Sequence, residues 1–358
     1  MPGTFTHALS SVEHRLDLLK LKFKARFDRF DPIRILPYRG FSNGERLWLR
    51  GRVLEDRGVT HLDEGSSALD NLMDMWRRYE TDEIPRAVLE VGVGAQRERV
   101  VTDDEGFFEV DVVLTDPQAL LRPWSEVQIR LLESFASDSH DTVVGGEVLV
   151  PTANAEFGVI SDLDDTVVKT GATDLLKHFS TVLLNNAHTR EPFEGVADLY
   201  QALKLGPDGR GVNPLFYVSS SPWNLYSLFE DFMDVHGIPP GPIFLKDFGL
   251  DRDKFIKSGH DEYKVERAGR ILDTFPDLRF ILIGDSGQRD AFVYREVVRQ
   301  HPGRVLAVYL RDLTPETDAD NYREIQAELA DRGVPMVLVR DSHEAAEHAA
   351  AQGWIRAD

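Results

Sequence analysis

The chain has 358 residues, long for one core and sufficient for two, with 42% hydrophobic and 28% charged residues, an ordinary globular balance. Its 61 acidic against 41 basic residues give a net charge of -20, which argues against a protein that coats nucleic acid, because phosphate binding needs concentrated Lys and Arg. With no cysteine, disulfides, thiolate catalysis and thiolate zinc sites are excluded.

The amino-terminal residues lack the charged start and apolar core of a signal peptide, and no run approaches a membrane span, so the expected location is cytoplasmic. Over residues 11–30, Leu16, Leu19, Phe23, Phe27 and Phe30 recur at helical spacing. Residues 1–39 carry eight Lys or Arg against four Asp or Glu, so this piece is positive on an acidic chain. Two readings stay open: a helix lying on an anionic membrane surface, peripheral to it, or a helix docking its Phe stripe on a neighbouring domain.

Residues 40–151 change to short β runs at 47–54, 87–93, 98–102, 107–114, 127–132 and 146–150, which predict a β-sandwich domain. Asp103-Asp104-Glu105-Gly106 reads as a hairpin turn. One helix interrupts the runs over 67–79, with Leu69, Leu72, Met73, Trp76 and Tyr79 on one side. No catalytic constellation is found here; the acids at 103–105 could bind calcium, but turn chemistry is the favoured explanation.

From 152 to 358 the pattern becomes strand-helix alternation. Continuous apolar runs at 157–160, 215–218, 280–283, 305–310 and 336–339 fit strands buried on both faces, hence an α/β domain with a parallel sheet. In such a sheet ligands bind beyond the carboxyl ends of the strands, and three of these runs end in polar clusters.

The first cluster is Asp162-Leu163-Asp164-Asp165-Thr166. Carboxylates two residues apart past a strand can divide labour, one attacking or binding metal while the other exchanges a proton; gathered negative charge also calls for a cation. The second is Ser219-Ser220-Ser221-Pro222-Trp223. Pro222 fits the first turn of a helix with Ser221 as its N-cap, which favours Ser219 over Ser221 as the hydroxyl for a phosphoryl oxygen and leaves both as candidates. The third, Gly284-Asp285 with Asp290 five residues on, suits a metal ligand and a supporting carboxylate. A lysine is needed opposite a phosphoryl group; Lys264 and Lys257 precede the third cluster's strand, and Lys264 is the nearer.

The order Asp-x-Asp-x-Thr, strand-end Ser, Lys, Gly-Asp-x-x-x-x-Asp resembles the haloacid dehalogenase superfamily. The wording DLDDTVVKTGATD, SSSPWNLY, YKVERAGRIL and FPDLRFILIGDSGQRDAFVYREVVRQHPGRVLAVYLRD is similar to the actin-patch-protein type of phosphatidate phosphatase over roughly 156–312. The resemblance implies a Rossmannoid parallel sheet with a small or absent cap. It implies that Asp162 is a nucleophile forming an aspartyl-phosphate and Asp164 its acid and base. Mg²⁺ would be held through Asp162, the Asp164 carbonyl and Asp285. Ser219 and Lys264 would bind the phosphoryl group, and Asp290 would support Lys264 or a metal-bound water.

Only about fifty residues separate Thr166 from the next strand, too few for a large lid, and an open site suits a lipid head group. The expectations are thus a phosphatidate phosphatase, a phosphatase for a soluble or protein phosphomonoester, or a non-catalytic scaffold.

Overall fold

The computed structural model describes residues 32–55, 83–134, 142–163, 195–210, 213–246, 260–286, 289–312 and 319–356. The helices expected over 11–30 and 67–79, Asp164, Lys257 and the stretch from Thr166 to 194 lie outside them.

The chain forms two compact units. The first takes the described residues of Met1–Pro37, Trp48–Ala119 and Glu126–Glu147; the second takes Tyr38–Leu47, Leu120–Ser125 and Val148–Asp358.

The first unit is built on antiparallel strand pairs. Strand β1 (Ile33–Pro37) pairs with β3 (Arg46–Glu55), and β4 (Val88–Val93) lies between β5 (Gln96–Val101) and β7 (Trp124–Glu133). Buried residues alternate with half-buried ones along β4 and with mostly exposed ones along β7, placing Leu89, Val91, Val127, Ile129 and Leu131 on one covered face. The turn at 103–106 is built as its composition requires. The Asp103 Oδ1 atom accepts from the Glu105 and Phe107 amides at 3.0 and 2.9 Å, and Gly106 adopts φ 76°. The strands it joins pair elsewhere, however: β5 with β4, and β6 (Phe107–Val113) with β3. β6 branches onto β3, off the path of the other strands.

In the second unit, β2 (Gly40–Ser42) runs parallel to the end of β8 (Val143–Leu149), Gly40 opposite Val148 and Phe41 opposite Leu149. Phe41 is fully buried among Phe216, Phe244 and Phe275, with ring centroids 5.6, 5.7 and 6.0 Å away. Tyr38 stacks on Trp223 at 4.7 Å, and the Arg39 amide donates to the Tyr226 hydroxyl at 2.7 Å.

The core of this unit is a parallel sheet of six strands in the order β11-β10-β9-β12-β13-β14. Its strands are β9 (Gly158–Asp162), β10 (Leu215–Pro222), β11 (Ile243–Lys246), β12 (Phe280–Asp285), β13 (Val305–Arg311) and β14 (Met336–Val339). The intervening helices are α1 (Val196–Leu205), α2 (Tyr226–Val235), α3 (His260–Thr274), α4 (Asp290–Gln300) and α5 (Ala319–Asp331), and α6 (Ser342–Ala351) closes the chain.

From β9 the path runs outward to β11, then returns past β9 to β12 and on to β14. Right-handed crossovers therefore put α1 and α2 on one face and α3, α4 and α5 on the other. After β14, α6 packs back against α1. The direction of travel reverses between β9 and β12, the switch point where open α/β sheets bind ligands.

Candidate active site

At that switch point the carboxyl ends of β9 and β12 bring together Asp162, Asp285 and Asp290. All three are buried, and one carboxylate oxygen from each lies within 4.8 Å of the others. Lys264, one turn into α3, is 6% exposed and bridges two of them. Its Nζ lies 2.7 Å from Asp162 Oδ1 and 2.9 Å from Asp290 Oδ1. Among the described residues, three buried carboxylates gather around this ammonium in a medium that solvates charge poorly. The donor set is all hard oxygen, the chemistry of Mg²⁺ or Ca²⁺ rather than of a softer metal.

Strand register explains how the parts reach one another. Ser161 of β9 lies opposite Ile283 of β12, so Asp162 is level with Gly284. At Gly284 an added Cβ would stand 2.3 Å from Asp290 Oδ2. The missing side chain lets Asp290, the first residue of α4, lean onto the strand tip. There its Oδ2 accepts from the Asp285 amide at 3.2 Å while Oδ1 takes the lysine.

The opposite face of β9 carries a second, uncharged set of bonds. Ser161 Oγ donates to the Asp162 carbonyl at 2.9 Å, so the Tyr200 hydroxyl, 2.5 Å from that oxygen, is the donor to it. Burial pushes the Tyr200 phenol up to about 12, which keeps it protonated as this donor. Burial likewise raises the Tyr294 phenol, with the charges of Asp290 and Asp162 adding to it; Tyr294 donates to the Ile283 carbonyl at 2.6 Å. These hydroxyls fix the backbone on which Asp162 and Asp285 stand. Their signal in the sequence is slight: a serine inside an apolar strand and a tyrosine on the buried side of a helix.

Ser219 is on β10, beside β9, and fully buried; its Oγ accepts from the Ser221 amide at 2.9 Å. Ser221 is not the helix cap its position before Pro222 suggested. Pro222 has ψ 150°, an extended conformation that continues β10, and a short 3-10 turn, Trp223–Leu225, intervenes before α2. Asp164 lies outside the described residues, so the structure joins Asp162, Lys264, Asp285 and Asp290 of the expected set and sets Ser219 on the neighbouring strand.

A cleft at the carboxyl ends of β12, β13 and β14 and beside α1 and α6 includes Asp162, Asp285 and Arg311 in its lining. Arg311, the last residue of β13, pairs in register with Asp285. Nothing in the sequence singles it out, because an arginine ending a strand has no pattern of its own.

Residues 157–312 match the family model described as phosphatidate phosphatase APP1, catalytic domain. Over 156 residues the chain is 36% identical to phosphatidate phosphatase APP1 of Saccharomyces cerevisiae, covering 43% of this chain and 26% of that protein. An uncharacterized protein of Schizosaccharomyces pombe is 27% identical over 216 residues, 60% of this chain and 34% of the relative. The chain thus spans between a quarter and about a third of the length of these curated relatives. Among solved structures, a carbohydrate acetylesterase from Xanthomonas citri aligns at 12% identity over 87% of this chain and 74% of its own, with a TM-score of 0.30.

Proposed function

We propose, from the match of residues 157–312 to the phosphatidate phosphatase APP1 catalytic-domain model, that the chain is a Mg²⁺-dependent phosphomonoester hydrolase acting on phosphatidate. The observation that carries the reading is the buried cluster of Asp162, Asp285 and Asp290 with Lys264 set among them. The parallel unit is read as a haloacid-dehalogenase-like Rossmannoid domain, consistent with strand-end carboxylates at the switch point.

Asp162 attacks the phosphorus and forms an acyl-phosphate bond as the ester P–O bond breaks. The departing alkoxide takes its proton from Asp164. Water then attacks the phosphorus, giving its proton back to Asp164, and the P–O bond to Asp162 breaks to release inorganic phosphate. Splitting one displacement into two lets the same pair of carboxylates serve both halves. Lys264 offsets charge on the phosphoryl oxygens and is itself held by Asp290; Ser219 is assigned to orient the same oxygens from β10. Asp162 and Asp285, with Asp164, would hold Mg²⁺, which supplies the positive charge that lets an anionic ester approach an anionic nucleophile. Asp290 holds the lysine, and its other role would be to support a metal-bound water.

Phosphate release from phosphatidate in mixed micelles, assayed with Mg²⁺ and then with a chelator, tests the reading. Release with Mg²⁺ and none with chelator is expected. Good turnover of soluble esters with none of phosphatidate would transfer the reading to a soluble or protein phosphomonoester, which the net charge of -20 favours by repelling anionic surfaces. No helix among the described residues is long and apolar enough to cross a membrane.

Gly284→Ala provides a local check. Its Cβ, 2.3 Å from Asp290 Oδ2, displaces that carboxylate. Turnover should fall about a hundredfold, with a loss of roughly 1–3 kcal/mol in urea unfolding.

A further inference from the structure

We propose that Tyr322 is a positioning residue for the divalent cation: from α5 its hydroxyl fixes the backbone beside Asp285 and so sets how tightly the carboxylate cluster holds Mg²⁺. The proposal rests on the phosphatase reading and adds to it a residue that none of the three polar clusters contains.

Asp285 stands where the sheet stops holding it. Strand β12 ends at this residue, and its register partner Arg311 ends β13. The residue before it is Gly284, whose missing side chain makes room for Asp290 and also leaves the backbone there its widest conformational freedom. A carboxylate on such a strand tip swings with its peptide planes unless they are pinned. Mg²⁺ tolerates little of that, because it takes its oxygens at about 2.0–2.1 Å in a nearly regular octahedron.

Two phenols bracket the stretch. On the near side Tyr294 of α4 donates to the Ile283 carbonyl at 2.6 Å. On the far side Tyr322, one turn into α5 and 8% exposed, donates to the Ser286 carbonyl at 2.6 Å, a bond across 36 positions. The two bonds are not equivalent. Ile283 lies inside the ladder, opposite Ser161 of β9 and Tyr309 of β13, so its strand is held with or without the tyrosine. Ser286 lies past the last register pair. Its amide still reaches the Arg311 carbonyl at 2.8 Å, and its own carbonyl is taken by Tyr322 in a buried bond. With the Asp285 amide donating to Asp290 Oδ2, the backbone is fixed on both sides of the Asp285 side chain. Deleting the Tyr322 hydroxyl takes this donor from a buried carbonyl, at the point where the metal ligand has least other support. The Ser286 peptide then turns toward another donor, and Asp285 turns with it.

Mg²⁺ titrated calorimetrically into the full chain tests this, the site being the binding event that Asp285→Asn abolishes. Tyr322→Phe removes one oxygen and keeps the ring, and should weaken that event at least about tenfold, the usual cost of losing a group that orients a metal ligand. In the phosphatase assay the same variant should need about tenfold more Mg²⁺ for half-maximal rate, with kcat at saturating Mg²⁺ close to the wild-type value. A general loss of stability produces no such split. Tyr217→Phe is the matched control, since its hydroxyl makes an equally short buried bond to the Pro239 carbonyl, at 2.6 Å. It should lose comparable stability in urea and bind Mg²⁺ as the wild type does. Tyr322→Phe binding Mg²⁺ as tightly as the wild type, or Tyr217→Phe weakening it equally, overturns the positioning role while leaving the phosphatase reading intact. A wild type that shows no Mg²⁺ event dependent on Asp285 would instead sink the metal-dependent reading, and the positioning role with it.

Discussion

Lys264→Met will destabilise the second unit by about 3–5 kcal/mol in the absence of divalent cations, because it strands buried carboxylates that shared one positive charge. Methionine keeps most of the apolar stem, so the loss measures charge rather than packing. The side chains concerned are nearly closed to solvent, at 7% exposure for Lys264, 3% for Asp162 and 1% for Asp290, so water cannot replace the ammonium. Urea unfolding with a chelator reads the loss directly. Added Mg²⁺ should then raise the unfolding midpoint of the variant more than that of the wild type, since a cation bound only by the folded state substitutes for the missing one. A variant as stable as the wild type in chelator would show that the lysine does not balance the cluster.

Asp162→Asn should lower phosphate release by at least about a thousandfold, as expected when a covalent nucleophile is removed with its shape preserved. Its effect on stability should have the opposite sign to that of Lys264→Met. One of three neighbouring negative charges disappears, so the melting temperature stays level or rises. The two variants together separate chemistry from electrostatics: both lose turnover, and only one loses stability. Retained turnover in Asp162→Asn would remove this site from the reaction.

The strands that bear the site were legible because parallel strands covered on both faces are written as unbroken apolar runs; β9, β10, β12, β13 and β14 all fall on such runs. The carboxylates were legible for the complementary reason, since charge placed directly after such a run has few structural uses. Short elements were not: β11 is the four residues IFLK and β1 is IRILP with an arginine inside, too little for a period. The Ser221 cap failed because Pro222 is as compatible with an extended strand end as with a first helical turn, and local rules cannot choose between them. Contacts set by packing were out of reach altogether. That Lys264 bridges Asp162 and Asp290, that Tyr200 meets Ser161, and that α6 folds back beside α1 to wall a cleft all depend on which faces the crossovers cover.

The membership of Tyr38–Leu47 in the second unit has a consequence for how the chain comes together. The Arg39 amide bonds a tyrosine 187 positions later, and the Asn43 side chain bonds a carbonyl 231 positions later. The aromatic partners of Phe41 are spread as far as Phe275. The unit that carries the carboxylates therefore cannot finish folding while it is being translated in order. Tyr38 and Phe41 must wait uncovered until partners as far along as Phe275 have been made, which gives slow closure and an interval in which chaperones have apolar surface to hold.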